Sequence, residues 1–256
     1  MSIHPTAVID AKAELAPDVY VGPYCVIGPE VLIGAGCWLQ NHVTVCGPTK
    51  IGERNRFHSH CSIGQQTQDL KYAGEPTYLE IGDNNCFREF ATVNRATSVG
   101  NTTVIRNNGN FLAYAHVAHD CDVGNNVIFS NNGTLGGHVL VEDYAVLGGF
   151  SAIHQFCRIG KHAITGGCTK IVQDVPPYMI ADGNPAEVRG INLVGLERRG
   201  FSPEIIRVLK EAFRILYRAK LNTKQAIEEI GRNLPESPEL RELITFIEAS
   251  ERGIVR

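Results

Sequence analysis

The sequence is poor in several things, and each shortage closes a door. Its 256 residues contain one tryptophan and two methionines, and aromatic residues make up 7%. No run of about eighteen apolar residues occurs, so a membrane-spanning helix is not expected. Met1–Asp10 carries no basic segment followed by an apolar stretch, so no secretory signal is expected. The formal net charge is only −3 and no long block of one sign stands out, which argues against nucleic acid as a partner. None of the eight cysteines forms a CxxC pair, so a zinc ribbon is excluded. Helical periodicity is also missing from about the first two thirds of the chain.

In its place stands a period of six. From Ile3 to Ile171, every sixth residue is large and apolar at 26 of 29 positions, the exceptions being Asp69, Glu75 and Thr165. An average chain is roughly 45–50% apolar, so chance does not produce this. Four residues after each apolar position the residue is usually small or β-branched, as at Val19, Cys25, Val31 and Cys37. Cys25, Cys37, Cys61, Cys121 and Cys157 all share that phase, which makes them buried, reduced thiols of a cytoplasmic protein. A six-residue period fits neither 3.6 nor 7, but it fits short strands separated by turns, the signature of a β-helix. The pattern resembles the β-helix of the hexapeptide-repeat acyltransferases, which implies three hexads to one triangular coil of eighteen residues; coils about 4.8 Å apart then give roughly ten coils and a prism about 45–50 Å long.

The prism is expected over residues 1–178, interrupted at about 68–80, where Gly74 and Pro76 mark a loop. Residues 101–110 are weakly patterned and are expected to bulge. Pro176 and Pro177 deny strand continuation. Residues 179–200 are assigned as a linker, and residues 201–256 as a small α-helical domain. Ser202 with Pro203, Asn222, and Ser237 with Pro238 open its helices, the last expected to run to Gly253. Ile206, Leu209, Phe213 and Leu216 line one face of the first. Residues 189–220 hold eight Lys or Arg against three Glu, a patch able to attract an acidic partner.

Residues eighteen apart fall in one column of such a prism. His119, Gly137 and Gln155 share a column, with Asp120 and His138 on one side and His154 on the other. His42 and His60 are likewise expected to stack. Imidazole suits general-base work near neutral pH, and Asp120 or a carbonyl can orient it. A glycine N–H suits an oxyanion hole. Base plus oxyanion donor reads as acyl transfer. Cys121 lies in the inward column, so direct attack by a substrate hydroxyl fits better than an acyl-enzyme. Gly149 and Gly167, also eighteen apart, leave a bare lane for a hydrocarbon chain, with Lys170 as a stop.

The segments QDLKYAGEPT at 68–77, AHVAHDC at 115–121, GGHV at 136–139, HQFC at 154–157, QDVPPY at 173–178 and GLERRGFS at 195–202 carry a resemblance. The chain resembles, over its whole length, the acyl-carrier-protein-dependent UDP-N-acetylglucosamine acyltransferases that open lipid A synthesis. The resemblance implies a left-handed parallel β-helix and a homotrimer with clefts between subunits. It implies His119 as the base acting on the glucosamine 3-hydroxyl, Asp120 supporting it, and the Gly137 amide at the oxyanion. It implies Gln68, Asp69, Lys71, His116, His138, His154 and Gln155 around sugar and acyl-pantetheine, and Asn192, Arg198 and Arg199 at the UDP. It implies a (R)-3-hydroxyacyl chain whose length is limited near Gly167. No cofactor and no metal are implied, and acyl carrier protein is expected on the basic C-terminal region. Asn94-Arg95-Ala96-Thr97 replaces the family's usual His-Arg-Gly-Thr beside the sugar, which leaves the 3-amino analogue of the sugar nucleotide as an alternative acceptor. Lys170 is bulkier than the Gly or Ala of some relatives. Rival readings are another hexapeptide acyltransferase and a γ-type carbonic anhydrase.

Overall fold

The computed structural model describes residues 2–256. Most strands are two residues long, one side chain outward and the next buried, so each hexad needs one inward apolar residue and one turn. Up to Ile171 every third strand stacks in register into one of three parallel sheets, and with two further strands added to the first the sheets number eleven, nine and eight strands. The result is a left-handed parallel β-helix, as expected. Its interior is the apolar column itself, including Ile27, Leu39, Ile63, Leu135 and Leu147, with the five in-phase cysteines buried beside them. Each fully buried Leu, Ile or Phe stabilises the prism by about 1.5–3 kcal/mol.

The corners have a signature of their own. At most corners from Tyr24 to Cys168, six residues apart, a residue other than glycine adopts positive φ. That conformation crowds Cβ against the carbonyl, and stacking offsets the strain. Tyr24, His42, His60, Phe90 and Tyr114 form one continuous ladder, with ring centroids 4.9–5.0 Å apart. The expected His42–His60 stack is part of it.

The two interruptions decide where the site forms. Phe111 pairs with Phe129, eighteen residues on. Phe57, by contrast, pairs with Phe87, thirty on, and Phe87 with Phe111, twenty-four on. The insertions are therefore twelve and six residues, both multiples of the hexad. This is why the beat stays in phase straight across them, and why Val99 matches it yet is 66% exposed in a loop. Phe57, Phe87 and Phe111 stack at 5.1 and 4.6 Å and hold the coils together beneath the loops. The first loop lies between strands Ser62–Gln65 and Tyr78–Ile81, the second between Thr92–Asn94 and Thr102–Ile105. Residues 101–110 do not bulge: Thr102–Ile105 is a regular strand pairing with Tyr78–Ile81, and the irregularity sits just before it.

The segment 179–200 is more than a linker. Met179–Asp182 continues the first sheet in parallel, and Glu187–Ile191 folds back antiparallel on it. Four helices follow: α1 (Leu193–Arg198), α2 (Pro203–Arg218), α3 (Thr223–Asn233) and α4 (Pro238–Glu248). Ser202, Asn222 and Ser237 cap α2, α3 and α4 through their side chains, as the sequence predicts. Helix α4 ends at Glu248, short of Gly253, because the chain then returns to the prism. The Asp174 N–H donates to the Gly253 carbonyl and Val255 N–H to that of Asp174, so the tail seals the open end. Ile206, Leu209 and Leu216 of α2 are buried, and Phe213 is half-buried. Among the described residues, no helix is long and apolar enough to cross a membrane.

Candidate active site

His119 and Asp120 occupy the turn between strands His116–Val117 and Asp122–Val123, where the second sheet bends into the third. Asp120 is a corner residue with φ of 57°, and that backbone turns its carboxylate back beside the preceding ring. Asp120 Oδ2 lies 2.8 Å from His119 Nδ1. An ionised carboxylate only accepts, so Nδ1 carries the proton and Nε2 of the neutral ring is left with its lone pair. The two side chains are only 12% and 5% exposed.

Asp120 is held from four sides. Its Oδ2 accepts from the Thr97 N–H at 3.0 Å, and its Oδ1 from the Asn101 amide at 3.3 Å. Its own N–H donates to Thr103 Oγ1 at 2.8 Å. His138 Nε2 lies 3.7 Å from Oδ2, with its ring edge-on to His119 and stacked on Phe156. Burial pushes the Asp120 carboxyl up, but hydrogen bonds from His119, Thr97 and Asn101 outweigh it, so the group ends below its ordinary value. His116 is held by Thr92, whose Oγ1 lies 2.7 Å from its Nδ1. Burial, then the neighbouring His119, lowers its basicity.

Gly137 sits directly under the imidazole. A Cβ at this position would lie 2.3 Å from His119 Cε1 and 2.5 Å from Nε2. Glycine is therefore required for the ring to lie where it does. The flanking N–H groups are used: Gly136 donates to Ile153 and His138 to His119. Among the described residues, nothing accepts from the Gly137 N–H. Burial pushes the Cys121 thiol up to about 12, and its Sγ contacts the Gly136 carbonyl at 3.2 Å, so it is no thiolate nucleophile.

An open cleft of about 790 Å³ borders this turn. Of the residues expected from the sequence, it brings together Gln68, Asp69, Lys71, His116, His119, Gly137 and Gln155. Asp120 and His138 flank the base as described, and the others stand elsewhere. Asn94 is buried, its amide donating to the Gln66 carbonyl, so it fastens the first loop from beneath. Arg95 is also tied down, to the carbonyls of Gly47 and Gly64. His154 is exposed two coils beyond His119, its Nδ1 3.1 Å from the Gln155 carbonyl oxygen. Gly167 lies in a turn at another corner, and Lys170 is exposed on the second sheet, in register with Ala152. Asn192, Arg198 and Arg199 lie at the third corner. Asn192 caps α1 and donates to the His162 carbonyl, while the Arg199 guanidinium sits 4.1 Å over Tyr144.

The column rule missed Thr67, Thr92 and Thr97, whereas Thr134, in register with His116, and Asn101 and Thr103, within one ordinary coil of Asp120, were in its reach and were not picked out. It assumes eighteen residues per coil, whereas Thr92–His116 spans 24 and Thr67–Thr97 spans 30. Subtracting whole hexads at each loop recovers those two pairs. For a metal, the only candidate cluster among the described residues is His119, Asp120 and His138, whose donor atoms lie within 4.8 Å of one another. The 2.8 Å contact already commits His119 Nδ1 to Asp120.

Comparison with known proteins places this geometry. The chain is 50% identical over 255 residues, 99% of each chain, to the acyl-[acyl-carrier-protein]–UDP-N-acetylglucosamine O-acyltransferase of Thermodesulfovibrio yellowstonii. The enzyme of the same name from Herminiimonas arsenicoxydans is 49% identical over 99% of each chain. The chain belongs to the UDP-N-acetylglucosamine O-acyltransferase family. Residues 174–255 match the family model described as UDP-N-acetylglucosamine O-acyltransferase, domain 2. The crystal structure of the UDP-N-acetylglucosamine acyltransferase of Bacteroides fragilis superposes with a TM-score of 0.97, at 37% identity over 99% of this chain and all of that one. The protein is thus an acyltransferase of the hexapeptide-repeat β-helix type.

Proposed function

We propose that this acyltransferase moves a (R)-3-hydroxyacyl chain from acyl carrier protein to the 3-hydroxyl of UDP-N-acetylglucosamine, the first step of lipid A biosynthesis, with His119 as general base. One observation carries the mechanism: His119 has Nδ1 tied to Asp120 at 2.8 Å and Nε2 above a glycine, at the edge of an open cleft. His119 Nε2 takes the proton of the sugar hydroxyl as that oxygen attacks the thioester carbonyl. Asp120 steadies the imidazolium that forms. The carbonyl oxygen gains the negative charge and is met by the Gly137 N–H. Collapse of the tetrahedral adduct expels the pantetheine thiolate, which recovers the proton from the imidazolium. The inert Cys121 supports direct attack over an acyl-enzyme.

The full site is proposed to need a trimer. Within one chain the expected residues are divided among three corners of the prism, and the cleft is open on one side. Leu70, at the cleft's edge, is fully exposed. A neighbouring copy would bring a second wall to the loop, and with it a lane for the acyl chain past Gly167 and Lys170. Arg198 and Arg199 would hold the nucleotide. The basic stretch through α2 would receive the acidic carrier protein in the cytoplasm.

Product analysis by mass spectrometry tests this directly. Carrier proteins bearing 3-hydroxyacyl chains of different lengths are offered with UDP-N-acetylglucosamine and, separately, with its 3-amino analogue. The expected product is the 3-O-ester of the hydroxyl sugar. Exclusive amide formation on the amino sugar would replace the acceptor assigned here, and acetylation from acetyl-CoA alone would replace the donor.

A further inference from the structure

The two loop insertions are joined to each other and to the His119–Asp120 pair by one chain of hydrogen bonds. It starts in the first loop, where the Lys71 N–H donates to Asp69 Oδ1 at 2.9 Å. The Asp69 N–H donates to Thr67 Oγ1 at 3.1 Å. The hydroxyls of Thr67 and Thr97 meet at 2.7 Å, across 30 residues of sequence. The Thr97 N–H then reaches Asp120 Oδ2 at 3.0 Å, and Asp120 holds His119. Thr67 and Thr97 are 5% and 9% exposed, so this contact is sheltered from water and its geometry is narrow. Neither residue is among those that line the cleft, whereas Gln68, Asp69 and Lys71 are.

We infer that Thr67 and Thr97 are positioning residues, through which the seating of the 66–77 loop sets the placement of Asp120 and hence of the base. This inference rests on the reading of His119 as that base. The physical case is one of constraint. The second loop, 95–101, supplies two donors to the Asp120 carboxylate besides His119, the Thr97 N–H and the Asn101 amide. Within the second loop, the Ala96 N–H also donates to the Tyr78 carbonyl, at the edge of the first. The hydroxyl pair is the side-chain contact that ties the loop carrying those donors to the loop lining the cleft. A substrate that orders Gln68, Asp69 and Lys71 would therefore tighten the carboxylate three hydrogen bonds away.

The test uses the full enzyme at saturating substrates, with Thr67→Val, Thr97→Val, the double variant, Thr67→Ser, Thr97→Ser and His119→Ala. Valine keeps the shape and removes the hydroxyl, leaving its partner unsatisfied. Each valine is expected to lower kcat roughly tenfold with little change in KM for the sugar nucleotide. The double variant should be no slower than either single one, since the same link is broken. Each serine should restore kcat to within about threefold. Thermal melting reports folding separately. Valine variants that melt earlier but keep wild-type kcat would overturn the inference, as would additive losses or a change confined to KM. His119→Ala separates the two levels. If it is inactive while the valines run at full kcat, only the coupling fails; if it keeps wild-type kcat, the base assignment fails and the coupling with it.

Discussion

Gly137→Ala is the sharpest perturbation available at the site. The added methyl carbon would stand 2.3 Å from His119 Cε1, 2.5 Å from Nε2 and 3.0 Å from Nδ1. Carbon atoms rest at about 3.5–4.0 Å, so the ring must retreat by more than about 1 Å. That retreat carries Nδ1 away from Asp120, now at 2.8 Å. A misplacement of about 1 Å costs on the order of 10²-fold in rate, so kcat should fall by about that factor. Stability should change little, because what moves is the end of one side chain at the edge of a cleft. For a chain of this size a loss of about 1 kcal/mol corresponds to roughly 2–4 °C in melting temperature, and the shift should stay within that. Gly28→Ala is the control, since the nearest neighbour of its new carbon would be the Val45 carbonyl oxygen at an ordinary 3.5 Å. Rates come from product formation by mass spectrometry, and melting from calorimetry. Gly137→Ala with activity within threefold of wild type would refute the placement of the base over a bare backbone.

His119→Ala should lose about 10²–10⁴ in kcat, the usual worth of a general base, while Cys121→Ser should leave kcat nearly intact; the reverse pattern would require an acyl-enzyme. Replacing Arg198 and Arg199 by Ala should raise KM for the sugar nucleotide more than it lowers kcat, and an unchanged KM would move them from the nucleotide to the carrier protein or the fold. Sedimentation should find a trimer at micromolar concentration, and a stable species near 28.0 kDa would remove the shared cleft. Burial, then the charges of Lys161 and Arg199, drives the His162 imidazole down to about 4. Because its folded value is lowered, the unfolded chain binds a proton between about pH 6.5 and 4 that the native state refuses, so stability falls as pH falls through that window. The drop amounts to about 3 kcal/mol for this 6% exposed group. His162→Phe keeps the stack on Tyr144 and should flatten the dependence of melting temperature on pH; equal slopes would mean that His162 is not held neutral.

The residues show plainly where local order reached and where it stopped. The six-residue column from Ile3 to Ile171 was enough to specify three parallel sheets, since each coil repeats the same inward contact with its neighbour. The columns through His119, Gly137 and His138 held because no insertion lies beyond residue 111. The helix starts at Ser202, Asn222 and Ser237 were readable because a cap bonds within three residues of itself. Thr67, Thr92 and Thr97 were hidden, because loops of twelve and six extra residues shift spatial neighbours without shifting the beat. The same coincidence hid Val99, which fits the pattern and stands in water. What the sequence determined alone was therefore the periodic part: the prism, its buried thiols and the place of the imidazole on one corner. What only the tertiary structure decided was how Asp120 is held, that Gly137 is vacant to admit a ring, and that the chain beyond residue 178 rejoins the first sheet before its helices. Those depend on which way side chains point at the corners and on contacts across the insertions, neither of which a six-residue beat records.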